Sequence, residues 1–226
     1  MLILIIYKLF NLYFEFIRII AYICIMIAII TGDIINSQKS DSELWLPQLK
    51  DLLGSWSATP ENWEIYRGDE FQLKCSVDEV FCKAMLIKSL IKTFENLDVR
   101  LAVGIGNEVF LSQKITESNG SAYVNSGRLL TEIKAQGRTL VVQTDNEKVN
   151  RDLNILLKWA SIDFDNWTTA TAEIINQLLR NPALTQDELA KTLNISQSSV
   201  SQRLKRANFE LIQETDQFFR KKITEL

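Results

Sequence analysis

Strand-like and helix-like segments alternate along this chain as far as residue 146, and beyond it no segment alternates like a strand. That change of periodicity restricts the fold to a mixed α+β unit, residues 26–146, followed by a helical unit, residues 147–226. The apolar run Ile27–Thr31 reads as a buried strand ending in a polar turn over Asp33–Asp41. Ser42–Trp56 carries Leu46, Leu49, Leu52, Leu53 and Trp56 at helical spacing, with Pro47 near the first turn, where proline is tolerated. Asn62–Tyr66 and Glu70–Cys75 alternate on either side of Arg67-Gly68-Asp69, the pattern of a hairpin. Ser76 and Glu79 have capping-box spacing for a helix that continues to about Phe94.

Val99–Ile105 is the next strand, followed by the loop Glu117–Gly120, a helix over Ser121–Lys134 and a last strand over Arg138–Gln143. The order βαββαβαβ, with its second and third strands as a hairpin, predicts a ferredoxin-like α+β domain. The helical half is broken near Asp163–Asn166 and at Asn181-Pro182.

Composition narrows the chemistry. The chain contains no histidine, which removes the commonest general base and the commonest metal ligand. A metal site would rest on carboxylates and favour hard ions such as Mg²⁺ or Mn²⁺. Cys24, Cys75 and Cys82 lack metal-ligand spacing and read as buried hydrophobes of a reducing, cytoplasmic setting. A net charge of −3 gives no whole-chain attraction to nucleic acid, so such a contact needs a local patch. Residues 26–150 hold 17 acids and 13 bases, and 151–226 hold ten of each. The excess of acid therefore sits away from the helical half. The five tryptophans, Trp45, Trp56, Trp63, Trp159 and Trp167, are expected in cores or between the halves.

Residues 1–25 are almost wholly apolar, interrupted by Lys8, Asn11, Glu15 and Arg18 on one helical face. That stripe suits a lone membrane span poorly, and no small-residue cleavage site follows it. The preferred reading takes Met26 as the start of translation. A genuine membrane anchor is the alternative.

The richest motif spans Leu184–Leu204. Thr185 and Glu188 form a capping box for a first helix with Leu189 and Leu193 inward and Ala190 small at the crossing. Asn194 stands at a turn that needs positive φ, Ile195 plugs the core, Ser196 caps a second helix, and Val200 and Leu204 anchor it. The whole pattern resembles the helix-turn-helix of bacterial transcription regulators. The resemblance implies double-stranded DNA as partner, with Gln197, Ser198, Ser199, Gln202 and Arg203 facing bases and Lys205 and Arg206 nearer phosphates. From Gln197 to Phe209 there is no acid. Leu211, Ile212, Phe218, Phe219 and Ile223 exceed what one small helical domain needs to bury. They predict a homodimer whose recognition helices lie about 34 Å apart, or a multiple of that.

In the first half, Ile30-Thr-Gly-Asp33-Ile-Ile, Arg67-Gly-Asp69-Glu-Phe71 and Val99-Arg-Leu-Ala-Val-Gly-Ile105 are similar to three stations of class III nucleotidyl cyclases. That likeness implies Asp33 and Asp69 as carboxylates for Mg²⁺ or Mn²⁺ with a nucleotide. Those enzymes also use an asparagine and an arginine four residues apart, whereas Asn125 and Arg128 are three apart, so no catalytic residue is assigned. The strings ITGDIINS, YRGDEFQ, VRLAVGIG, ESNGSAYVNSGRLL and QSSVSQRLKR together resemble the SatD family, in particular members carrying a helix-turn-helix. What this implies is a DNA-binding regulator with a non-catalytic cyclase-like half open to a nucleotide effector. The alternative is a metal-dependent nucleotide-processing enzyme whose helices bind a partner.

Overall fold

The first strand has apolar residues on both of its sides, so it can only sit where both faces of a sheet are covered. It does so as β1, Met26–Ile35, at the centre of a five-stranded sheet in the computed structural model, which describes residues 26–226. β1 pairs antiparallel with β3 (Glu70–Ser76) on one side and β4 (Asp98–Asn107) on the other. β2 (Trp63–Tyr66) lies outside β3, and β5 (Leu140–Gln143) runs parallel to β4, giving the order β2-β3-β1-β4-β5. With eight helices among the described residues, the fold is mixed α+β.

β1 is longer than its sequence suggests. Ile34 and Ile35 continue the apolar alternation, and the ladder with β4 runs on to Asp98. Asp33 therefore lies inside the strand, opposite Glu70 and Arg100, rather than in a turn after it. The expected capping box at Ser76 is also absent. Ser76 ends β3 in register with Ile27, and its hydroxyl donates to the Glu79 carboxylate at 2.9 Å while that helix starts at Val80.

Two helices, α1 (Ser42–Trp56) and α2 (Val80–Ile91), cover the sheet face that carries Ala28, Ile30, Phe71, Leu73, Leu101 and Val103. The opposite face is covered by α3 (Ser121–Gln136), which packs Ala122 and Tyr123 on Ile29 and Leu129, Leu130 and Ile133 on Ala102 and Val141. This approach is close because Gly104 has no side chain: a Cβ there would collide with the Ala122 carbonyl and the Ser126 amide.

Beyond β5 the chain is helical: α4 (Glu147–Phe164), α5 (Thr169–Arg180), α6 (Gln186–Leu193), α7 (Gln197–Arg206) and α8 (Phe209–Ile223). α4 closes the sheet edge at β5. Its Asn154 accepts from Val142 N at 2.9 Å and donates to Val142 O at 2.7 Å, supplying what a further strand would have supplied. The helices then fold back over α2. Asn176 of α5 donates to Leu86 O and Ser89 Oγ, and Phe219 of α8 lies 5.7 Å, centroid to centroid, from Phe81.

A fully buried lysine sits on this seam. Lys88 Nζ reaches Asp98 at 2.9 Å and Asp165 at 2.7 Å, while Lys92 contacts Asp98 and the Asp165 carbonyl. One hydrophobic cluster runs continuously across residue 146.

Of the tryptophans, Trp45 and Trp167 are buried, but Trp159 is 72 % exposed on α4. Cys75 is buried, and desolvation pushes its thiol up to about 12. Among the described residues no helix is long and apolar enough to cross a membrane. Cys24 and the question of residues 1–25, including a start at Met26, lie outside the described residues.

Candidate nucleic-acid interface

The α6–α7 pair is built by short-range bonds that its own sequence supplies. Thr185 Oγ1 accepts from Glu188 N at 3.3 Å, and Thr185 N donates back to Glu188 Oε2 at 2.8 Å. The Thr185 amide, contributing most, and the Thr185 hydroxyl, which donates to Glu188 Oε2 at 2.7 Å, hold the Glu188 carboxyl below the usual carboxylate range. α6 ends at Asn194 with φ 52 and ψ 45, and Ile195 N returns to Ala190 O at 3.0 Å. That left-handed geometry suits asparagine among non-glycine residues. Ser196 Oγ then accepts from Ser199 N at 3.2 Å and starts α7 three residues after α6 stops. Leu189, Ala190, Val200 and Ala207 are buried where the helices meet, and Leu193, Ile195 and Leu204 close the contact half-buried.

Because Val200, Leu204 and Ala207 face inward, the 3.6-residue period places Ser198, Gln202, Lys205 and Arg206 outward, and all four are exposed. The other expected base-facing residues stand on the flanks. Gln197 is exposed, but its side chain donates to Gln186 Oε1 at 2.7 Å. Ser199 is half-buried, with its hydroxyl 2.8 Å from that of Ser196. Arg203 is half-buried and lies 3.8 Å from Glu173 on α5. Arg203, Lys205 and Arg206 all fall in the last turn, and the helix carries no acid.

The five C-terminal apolar residues split into two groups. Ile212, Phe219 and Ile223 are buried within their own chain, because α8 packs back on α2 and α4. Only Leu211 and Phe218 remain exposed, at 57 % and 40 %.

At the other candidate site, the Asp33 and Asp69 carboxylates engage different partners. Asp33 Oδ2 accepts from Arg100 at 3.0 Å and lies 3.5 Å from Lys134, while Asp33 Oδ1 is buried without a partner. Asp69 Oδ2 accepts from Ser37 Oγ at 2.6 Å, and its carbonyl accepts from Ile34 N. Lys134 also pairs with Glu70 at 2.9 Å. Among the described residues no three carboxylate, thiol or imidazole groups gather as a candidate metal site. Two protein cations, Arg100 and Lys134, offset the charge of Asp33 in this arrangement.

Neither Arg100 nor Lys134 was expected here. Arg100 meets Asp33 only through the β1–β4 register, and Lys134 only through the docking of α3. On α3, Arg128 is exposed, whereas the side-chain nitrogen of Asn125 is buried without a partner.

No curated protein matches the chain. The sequence model of the SatD family matches residues 24–222, which takes in the whole sheet and almost all of the helical half, so the chain belongs to the SatD family.

Proposed function

We propose that this chain is a DNA-binding transcriptional regulator in which α6 and α7 form a helix-turn-helix and α7 enters the major groove of double-stranded DNA. The observation that carries this reading is the outer face of α7. Ser198, Gln202, Lys205 and Arg206 are exposed together on an acid-free helix that is anchored from behind by Val200 and Ala207. Gln202 offers the paired donor and acceptor that match an adenine edge, and the two bases next to it suit phosphates. Arg203 would reach a guanine only by leaving Glu173.

The sheet half is read as ferredoxin-like and cyclase-like, which the order β2-β3-β1-β4 supports, with β5 as an addition. In this proposal it is a non-catalytic scaffold. The ion pairs of Asp33 with Arg100 and Lys134 favour that role over phosphoryl transfer.

Selection of bound fragments from random DNA, followed by affinity measurements on variants, tests the proposal. Gln202→Ala should relax preference at one base position, weakening specific binding by about 1–3 kcal/mol. Lys205→Ala and Arg206→Ala should lower affinity evenly across sequences, each reducing the salt slope by about 1. Equal binding at low salt by the wild type and a variant with all three changes defeats the proposal. So does metal-dependent nucleotide turnover that is lost in Asp33→Ala.

A further inference from the structure

An apolar groove lies open between α4 and α8 in the helical half. On α4, Ile155, Trp159 and Ile162 are 58 %, 72 % and 60 % exposed, at the i, i+4, i+7 spacing of one stripe. Leu211 and Phe218 on α8 line the groove together with Ile155 and Trp159, and Leu156 and Thr215 lie between them. The helices run antiparallel: Lys222 bonds Asp152 at 2.9 Å near one end, and Asn208 bonds Asp163 at 2.9 Å near the other. A contiguous patch of this kind marks an interaction surface.

Charge identifies the occupant. Each stripe carries one exposed charge in its own row. Lys158 lies three residues after Ile155 and four before Ile162, while Glu214 lies three after Leu211 and four before Phe218. Glu210 extends the α8 row by one turn at one end, and Arg151 and Lys221 continue the two rows at the other end. Lys158 and Glu214 take no part in the ion pairs of the helical half, Arg203–Glu173, Arg220–Asp216, Lys222–Asp152 and Lys222–Glu225. The patch is thus an apolar strip with Lys158 midway along its α4 edge and Glu214 midway along its α8 edge.

We infer that this face pairs with the same face of a second copy of the chain, about a two-fold axis running along the groove. That axis sets Lys158 of each copy against the partner's Glu214 while Trp159 and Phe218 are covered at the centre. A two-fold axis across the groove would set Lys158 against the partner's Lys158, so charge selects the first arrangement. The inference is independent of DNA binding, because α7 contributes nothing to the patch.

Sedimentation equilibrium of the full 226-residue chain over a wide concentration range is the test. The expected result is a dimer, with Trp159→Glu shifting it to monomer at the same concentrations. Lys158→Glu and Glu214→Lys should each weaken association by about tenfold, since two-fold symmetry counts each change twice. The combined variant should recover most of that loss, and a merely structural effect would not produce such recovery. A concentration-independent monomer overturns the inference, including the case in which residues 1–25 or a foreign protein cover the patch. A dimer indifferent to Trp159→Glu, or a combined variant no better than either single one, overturns it as well.

Discussion

Replacing Lys88 by methionine keeps a side chain of similar length in the seam between sheet and helices but removes its charge. Lys88 is fully buried and lies 2.9 Å from Asp98 and 2.7 Å from Asp165. Removing one partner of a buried ion pair costs about 3–5 kcal/mol, mostly because the survivors stay desolvated. Here the survivors keep some relief. Asp98 is 16 % and Asp165 35 % exposed at the side chain. Lys92 and Val99 N still reach Asp98, and Thr139 still donates to Asp165 at 2.7 Å. The loss should therefore fall at the low end, about 3 kcal/mol.

For a chain of this size, 1 kcal/mol shifts Tm by about 2–4 °C, so Lys88→Met should melt roughly 6–12 °C lower. Urea unfolding followed in parallel by tryptophan fluorescence and far-ultraviolet circular dichroism reads the same loss. The two probes should coincide in one transition, because the core is continuous across residue 146. Adding Asp98→Asn should recover part of the loss by removing one stranded charge. A loss below about 1 kcal/mol, far short of that range, would refute the reasoning. Two separated transitions, only one of them shifted, would refute it equally.

Two glycines of the α3–β4 region should respond in opposite directions. Gly104→Ala drives a Cβ into the α3 backbone and should cost about 1–3 kcal/mol, whereas Gly127→Ala, with open space at that point of α3, should gain about 0.5–1 kcal/mol. Urea midpoints of the two variants check this, and equal effects would undo the close-approach argument. Glu188 gives a pH dependence at the start of α6. Its folded-state pKa is lowered by bonds from Thr185, so its contribution is present above the ordinary carboxylate range and is lost as pH falls through the folded value. The stability gap between wild type and Glu188→Gln should shrink from pH 7 to pH 3, and a gap that widens on acidification contradicts the capping role.

The α6–α7 pair was legible in the sequence because the bonds that cap its helices and form its turn join residues within five positions of each other. Thr185, Glu188, Asn194, Ser196 and Ser199 carry their geometry in their own types and spacing. The alternation of strands and helices was legible for the same reason, as was the change to helices alone after residue 146. Strand length was less so, since Asp33 interrupts an apolar run that only the β4 ladder carries through to Ile35.

What tertiary structure alone decided was which charges meet and which apolar residues stay open. Asp33 meets Arg100, 67 positions away, through strand register, and Lys134 through helix docking. Lys88 reads as an ordinary helix lysine until α2 is covered and Asp165 arrives from the helical half. Ile212 and Leu211 are adjacent and equally apolar, yet the packing of α8 buries one and exposes the other. Neighbours along the chain set local hydrogen bonds, whereas the environment of a side chain depends on surfaces brought together by the whole core.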